Sequence, residues 1–241
     1  MKHIKLLLFL SIVTNSVAMF SQSNFSGIVH YESTINKRTL TDYLKNRRDT
    51  IDVSLVKSLD KVYLQSKPIQ SKLIFSGGKG LFKVLKQMST KENDVGMAIA
   101  KISAGGSKEY YYNDKNKKYL VKDCQTLGEC FVYPNKYLEW QLTQESNTIN
   151  GYTVFKATRN NGKVIAWYTP KIPVNFGPKG EYGLPGLIIE IELGRTIFKA
   201  KKIILNPKEK IKVKKPKGNE VTFEEYSKML KKARQSIFGK K

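Results

Sequence analysis

This 241-residue sequence offers few candidates for catalysis. Of the two histidines, His3 lies in an N-terminal stretch that reads as an export signal, which leaves His30 as the one imidazole of a processed chain. His30 sits in the strand-like run FSGIVHYESTIN, where a lone histidine is expected to be structural rather than a general base. Glu190 and Glu192 share one face of an alternating run, about 7 Å apart by strand geometry. That separation falls within the range of inverting glycosidase carboxylates, but such pairs normally face each other across a cleft, so a solvated strand face is the plainer reading. The sequence has no G-x-S-x-G, H-E-x-x-H, phosphate-loop or calcium-loop pattern. No catalytic residue, cofactor or metal ligand is assigned.

The two cysteines, Cys124 and Cys130, stand in DCQTLGEC around a turn-like Leu127-Gly128. An even count and an oxidising destination predict a disulfide closing a hairpin loop. So short a loop restrains the unfolded chain by roughly 2–3 kcal/mol at best. Two thiols without neighbouring histidine cannot complete a four-ligand zinc site.

Aromatic residues crowd the second half of the chain: Tyr110, Tyr111, Tyr112, Tyr119, Trp140, Trp167, Tyr168, Phe176 and Tyr182. Core packing accounts for about half or more of them, and alternation sends Tyr111 to the face opposite Tyr110 and Tyr112. Those on a rim or outer face have the chemistry to stack on sugars or clamp a peptide beside lysines. Trp167, Tyr168, Phe176 and Tyr182 are the candidate ligand contacts.

The elements that position these residues are short strands. Phe25–Asn36 alternates as a first strand. Helical spacing of Leu55, Val56, Leu59, Val62 and Tyr63 predicts a helix over Asp52–Leu64 in the N-terminal third, with Thr41–Arg48 a second, short candidate. Lys72–Ser76 and Leu81–Met88 form a hairpin through Gly77-Gly78-Lys79-Gly80, and Ser89–Ser107 is a loop or short helix. Glu109–Tyr112, Tyr119–Asp123, Phe131–Tyr133, Glu139–Glu145, Tyr152–Arg159 and Lys163–Thr169 continue the meander. The last two join through Asn160-Asn161-Gly162. Leu187–Leu193 follows, with Leu187, Ile189, Ile191 and Leu193 on one face and Ile188, Glu190 and Glu192 on the other. It turns at Gly194-Arg195 into Thr196–Leu205. This succession predicts a mainly β fold built on an antiparallel sheet. Asn206–Gly218 is a Lys/Pro arm or a charged edge strand, and Thr222-Phe223-Glu224-Glu225 is a capping box that opens an amphipathic helix to Ile237. That helix either docks on the domain or binds an anionic membrane or partner.

Between Thr169 and Leu187 lie four of the eight prolines and four glycines, closing on Gly183-Leu184-Pro185-Gly186. Proline fixes φ and glycine admits φ > 0, so a loop of dictated shape is expected. The run Gly183, Leu184, Pro185, Gly186, Leu187, Ile188 resembles the signature of the GLPGLI proteins of the Bacteroidota. Leu138-Glu139-Trp140, Ile149-Asn150-Gly151-Tyr152, Ala166-Trp167-Tyr168-Thr169, Ile172-Pro173 and Gly177-Pro178 are similar to that family as well. The similarity is dense from about Trp140 to Ile203. The resemblance implies a secreted or periplasmic β-rich protein with a bowl-like or partly open barrel, comparable with the N-terminal domain of a peptide-N-glycosidase. It implies no activity, and only by the family's usual context an association with outer-membrane transport. Val154 or Phe155 stands where members often carry a cysteine.

Lys2, His3 and Lys5 precede an apolar run, Ile4–Val13, and the small-x-small site Ser16-Val17-Ala18, which predicts a signal peptide over 1–18. A β-rich domain over 19–205 and a Lys-rich arm with C-terminal helix over 206–241 complete the division. No transmembrane segment is expected after signal removal. The formal charge of +23 favours acidic partners. Scarce arginine and the lack of a recognition motif argue against nucleic acid. The expectation is therefore an exported, non-enzymatic binding or accessory protein of the cell envelope, periplasmic, outer-membrane-associated or secreted. Its partner would be an envelope protein or an anionic or glycan ligand. The alternative is an envelope hydrolase acting on glycan or peptide through Glu190, Glu192 or His30.

Overall fold

A computed structural model describes residues 25–36, 67–86 and 95–238. The helices expected at Asp52–Leu64 and Thr41–Arg48 and the signal segment lie outside the described residues. Twelve strands form one sheet: β1 Ser26–Ile35, β2 Ile69–Ser76, β3 Lys79–Val84, β4 Glu109–Asn113, β5 Lys118–Asp123, β6 Phe131–Pro134, β7 Gln141–Ile149, β8 Tyr152–Arg159, β9 Val164–Thr169, β10 Leu187–Leu193, β11 Thr196–Leu205 and β12 Asn219–Glu220. Two helices join them, α1 Val95–Ser103 and α2 Phe223–Phe238. Of the expected loop or short helix at Ser89–Ser107, residues 89–94 lie outside the described residues, and the rest contains helix α1.

The strand order is β12-β6-β5-β4-β3-β2-β1-β11-β10-β9-β8-β7. The chain starts in the middle, runs outward through β2 to β6, jumps to the far edge at β7 and returns beside β1. Every pairing is antiparallel except the two-residue β12, which runs parallel to β6. The jump dictates the curvature. Strands β6 and β7 hold the second and twelfth places, so a flat sheet would set them ten spacings, or ~48 Å, apart. Residues 135–140 between them reach at most ~25 Å when fully extended. The sheet must therefore curl, and it remains open because β6 and β7 do not pair.

The concave face carries the main core. Tyr31, Phe82, Phe198 and Tyr110 pack edge-on or tilted with ring centroids 6.0–6.3 Å apart. A smaller cluster of Tyr111, Leu120 and Val132 lies on the convex face under Val213 of the Lys/Pro arm. Tyr111 thus points outward as alternation requires, yet is 3% exposed because the arm covers it. That arm is extended but unpaired until Asn219, so the edge-strand alternative at Ile211–Val213 is not adopted.

Helix α2 begins as its capping box requires: Thr222 Oγ1 accepts from the Glu225 amide at 3.1 Å, while Glu225 Oε2 accepts from the Thr222 amide at 2.8 Å. It docks through Tyr226, which stacks on Tyr133 at 4.1 Å. Among the described residues no helix is long and apolar enough to cross a membrane.

Candidate functional site

The Pro/Gly crossing packs against the concave wall. Its own amides fold it into a miniature hairpin: Gly177 N donates to Glu181 O at 2.9 Å and Gly183 N to Asn175 O at 3.0 Å, with Phe176 and Tyr182 bridged between them. The flanking aromatics dock on facing strands. Phe176 stacks on Tyr112 of β4 at 5.0 Å and Tyr182 on Tyr119 of β5 at 3.8 Å. Buried hydroxyls then fix the backbone, with Tyr112 donating to Gly177 O at 2.7 Å and Tyr31 to Ile188 O at 2.5 Å. Burial raises both phenols far above the ordinary tyrosine value, so they remain donors.

Gly183–Gly186 is the corner at the end of this plug. Leu184 is fully buried, and Gly186 N donates to Leu184 O at 2.8 Å. A Cβ on Gly186 would stand 2.2 Å from Thr169 O, so only glycine lets the two chain segments approach this closely. Leu187 and Ile188 then enter β10. There the expected alternation fails, because the register shifts between Ile188 and Glu190 and leaves Ile188 and Ile189 both buried. The bulge inserts one extra residue, which re-aims the strand after the corner.

This packing decides which proposed contacts face solvent. Tyr168, Phe176 and Tyr182 are 6%, 1% and 7% exposed; Phe176 and Tyr182 hold the plug to the wall, while Tyr168 belongs to the wall itself, tilted against Phe155. Trp167 is half-buried on the convex face opposite Glu190 and Lys156. The structure does not bring the four together as one surface.

It does use Tyr182 and its neighbour to build a different place. Trp140 Nε1 donates to Tyr182 O at 2.8 Å, and Tyr182 Oη donates to Lys136 O at 2.8 Å, which fixes the link between β6 and β7. Arg159, at the end of β8, forms a buried ion pair with Glu181 at 2.6 Å, and its guanidinium lies 5.2 Å from the Trp140 ring. Burial raises the Glu181 carboxyl even though Arg159 works to lower it. Asn160 and Asn161 follow, both at φ 54° in the left-handed region, which asparagine tolerates better than other side chains. Tyr137, Leu138, Glu139, Trp140, Gln141, Arg159, Asn160 and Asn161 line a cleft of about 420 Å³ here. Tyr137 is 84% exposed beside it. Two aromatics, one guanidinium, one carboxylate and three amides thus meet on a floor locked by a buried ion pair. Sequence reading picked out Trp140 as an aromatic and Asn160-Asn161-Gly162 as a turn. It missed Arg159 and Glu181, whose signal is their pairing across separate elements.

A second cleft, of about 360 Å³, includes Tyr110, Lys108, Asp123, Thr126 and Lys179 in its lining. Its polar groups have structural duties. Lys179 Nζ donates to Ser103 O at the end of α1 (2.7 Å), and burial lowers its ammonium. Asp123 accepts from the Gln125 and Thr126 amides, from Thr126 Oγ1 and from Tyr226 Oη, and pairs with Lys108 at 3.2 Å. Burial works to raise its carboxyl, but these bonds outweigh it and hold the group well below the usual carboxylate range. Immediately after Asp123, Cys124 and Cys130 are joined as a disulfide.

The catalytic candidates lie elsewhere, on the convex face. Glu190 pairs with Lys199 at 3.1 Å, and Glu192 accepts from Asn36 at 3.0 Å. His30 stands between Lys72 and Lys202 on neighbouring strands. Partial burial and then these two ammonium groups lower its imidazole. Among the described residues no group of three or more His, Cys, Asp or Glu side chains has the geometry to hold a metal ion.

Residues 158–190, which carry Arg159, the asparagine turn and the whole crossing, match the model of a family described as a protein of unknown function (Porph_ging). No curated protein matches the chain. Among solved structures, PNGF-II in space group C2 aligns over 87% of this chain and 33% of that one, at 16% identity and a TM-score of 0.50. PNGF-II in space group P21 aligns over 88% and 34%, at 16% identity and a TM-score of 0.49. The chain therefore spans about a third of the length of the structures it matches. At this identity the likeness is one of fold.

Proposed function

We propose that this chain is an exported GLPGLI-type protein of the cell envelope that binds a carbohydrate in the Trp140–Arg159 cleft and does not transform it. One observation carries the reading: the aromatic side chains of Trp140 and Tyr137 line the cleft together with the amides of Gln141, Asn160 and Asn161. Sugar rings have an apolar C–H face and a hydroxyl rim, and aromatic faces with convergent amides match both. The Arg159–Glu181 ion pair holds this set rigid before a ligand arrives, which lowers the ordering cost of binding. The cleft's volume of about 420 Å³ is within the usual range for a small-ligand site. Against hydrolysis, Glu190 and Glu192 are engaged by Lys199 and Asn36 on the convex face.

The test is titration of the processed protein with neutral and acidic oligosaccharides, read by tryptophan fluorescence and calorimetry. Binding by the native protein, weakened at least tenfold in Trp140→Ala and Asn161→Gly with unfolding midpoints recorded alongside, supports the reading. No binding by any oligosaccharide, or equal binding by folded Trp140→Ala, refutes it. New reducing ends in the same mixtures would favour the hydrolase.

A further inference from the structure

The convex face carries charge in rungs, and two neighbouring rungs are built on opposite rules. In the first, Glu190 of β10, Lys199 of β11, Glu32 of β1 and Gln70 of β2 stand opposite one another across the sheet. Here the signs alternate, and contacts follow: Glu190 with Lys199, Gln70 donating to Glu32, and Lys201 beside Glu32 at 3.5 Å.

Two residues along β1 and β2, and three along β11 where a bulge inserts Lys201, the next rung reads Lys202 of β11, His30 of β1, Lys72 of β2 and Lys83 of β3, each opposite the next. Four consecutive strands thus present basic side chains in direct register. Like charges directly opposite destabilise a sheet, yet among the described residues Lys202, Lys72 and Lys83 form no ion pair. Glu109 of β4 continues the rung opposite Lys83 without pairing to it. At its β3 end the rung opens into a cleft of about 370 Å³ that includes Lys83, Lys86, Lys101 and the Asp123-paired Lys108 in its lining. Beyond the rung on its other side lies an apolar row, Ile204, Ile28, Ile74 and Leu81, half-buried.

We propose that the Lys202–His30–Lys72–Lys83 rung is a binding track for a linear acidic polysaccharide, which crosses the strands and ends in the lysine-lined cleft. The shape of the charge selects the partner. Three strand spacings make a line ~14 Å long that carries three lysine ammonium groups, with the His30 imidazole between Lys202 and Lys72. The line is only one residue wide, bordered by the sign-alternating row on one side and by the apolar row on the other. A broad anionic surface would also cover the already paired Glu32 and Glu190 and the apolar row, whereas a single chain with one carboxylate or sulfate per unit meets the lysine line alone. Desolvation and the two flanking lysines depress the His30 imidazole, as expected for a positive line awaiting its counter-charge. This track is separate from the Trp140–Arg159 cleft and does not rest on it.

The probe is an oligogalacturonate of six or more units, with a neutral maltooligosaccharide of equal length as control, titrated against the processed full chain over a range of salt. The triple variant Lys72→Gln, Lys83→Gln, Lys202→Gln is compared with Lys208→Gln, Lys210→Gln, Lys212→Gln, which removes the same charge from the exposed arm. The expected result is binding of the acidic oligomer alone, weakened at least tenfold by the rung triple and less than twofold by the arm triple. The salt slope should also be shallower by about three in the rung triple, one for each lost contact. Removing like charges from one rung should leave stability unchanged or raised, so a lower unfolding midpoint would also count against the idea. Equal losses in both triples, or none, overturn the track. Rung-dependent binding to phosphatidylglycerol vesicles with no binding to the oligomer overturns the polysaccharide assignment. Trp140→Ala should leave this titration untouched, which separates failure of the track from failure of the cleft.

Discussion

Replacing Gly186 with alanine should be one of the most damaging small changes available to this protein. The new methyl would lie 2.2 Å from Thr169 O and 2.5 Å from Thr169 C, backbone atoms with little room to retreat. Thr169 O already accepts from Ile172 N at 3.4 Å, and Leu187 N donates to Ile172 O at 3.0 Å, so both sides of the corner are tied. Overpacking of this kind costs about 1–3 kcal/mol, and a φ of +158° adds about 1–3 kcal/mol of backbone strain for an L-residue. Together they predict a loss of about 2–6 kcal/mol, a large share of the ~5–15 kcal/mol that holds a typical domain. Gly183→Ala is the control. Its φ is +93°, but its nearest neighbour is the Trp140 ring at 3.9 Å, an ordinary contact, so only the strain remains. Urea unfolding followed by tryptophan fluorescence compares the two. With an m-value of about 3 kcal/mol/M, Gly186→Ala should lower the midpoint by about 0.7–2 M and Gly183→Ala by about half as much, roughly 0.3–1 M. Coincident midpoints would mean that the corner gives way freely, and the account of a rigid plug would be wrong.

Three further outcomes follow from the buried polar groups. Glu181→Gln strands the Arg159 guanidinium in a site that excludes water and should cost about 3–5 kcal/mol, read by the same unfolding curves and partly restored by adding Arg159→Met. Asp123 is depressed in the folded chain, so below its unfolded value of about 3.9 the unfolded state binds more protons and stability falls with falling pH. Asp123→Asn should flatten that acid limb, and Tyr226→Phe should remove about 1.5–3 kcal/mol at neutral pH by deleting a bond to a buried carboxylate. Non-reducing mass spectrometry of the native protein should recover Cys124 linked to Cys130, and Cys124→Ser with Cys130→Ser should cost at most about 2–3 kcal/mol. A much larger loss would place the loop at the centre of the fold instead of at its margin.

Features with local causes could be read from the chain alone. The Asn160-Asn161-Gly162 turn is written in residues that tolerate positive φ, and all three adopt it. The capping box is legible because both of its bonds close within four residues. Strand existence followed from alternation, but strand order did not, since β1 pairs with β11 across most of the chain and no local pattern encodes that choice. The aromatics of the crossing misled for a related reason. A loop has no periodic face, so Phe176 and Tyr182 gave no sign that Tyr112 and Tyr119 were waiting opposite them. The Arg159–Glu181 pair was invisible because its members belong to separate elements 22 residues apart.

Placing the first described strand at the centre of the sheet has a consequence in time. Ser26 and Asn206 close the β1–β11 seam with reciprocal bonds, 180 residues apart in sequence. Whether the chain emerges from a ribosome or through an export channel, Asn206 arrives 180 residues after Ser26. Until it does, one flank of β1 is an unclaimed edge, and the half-sheet from β1 to β6 has nothing beside it. Joining the halves is the step with the greatest loop-closure cost, so refolding should show a slow phase that reports this seam while the hairpins form quickly. Chains halted in that interval are the ones most exposed to aggregation through the bare flank of β1.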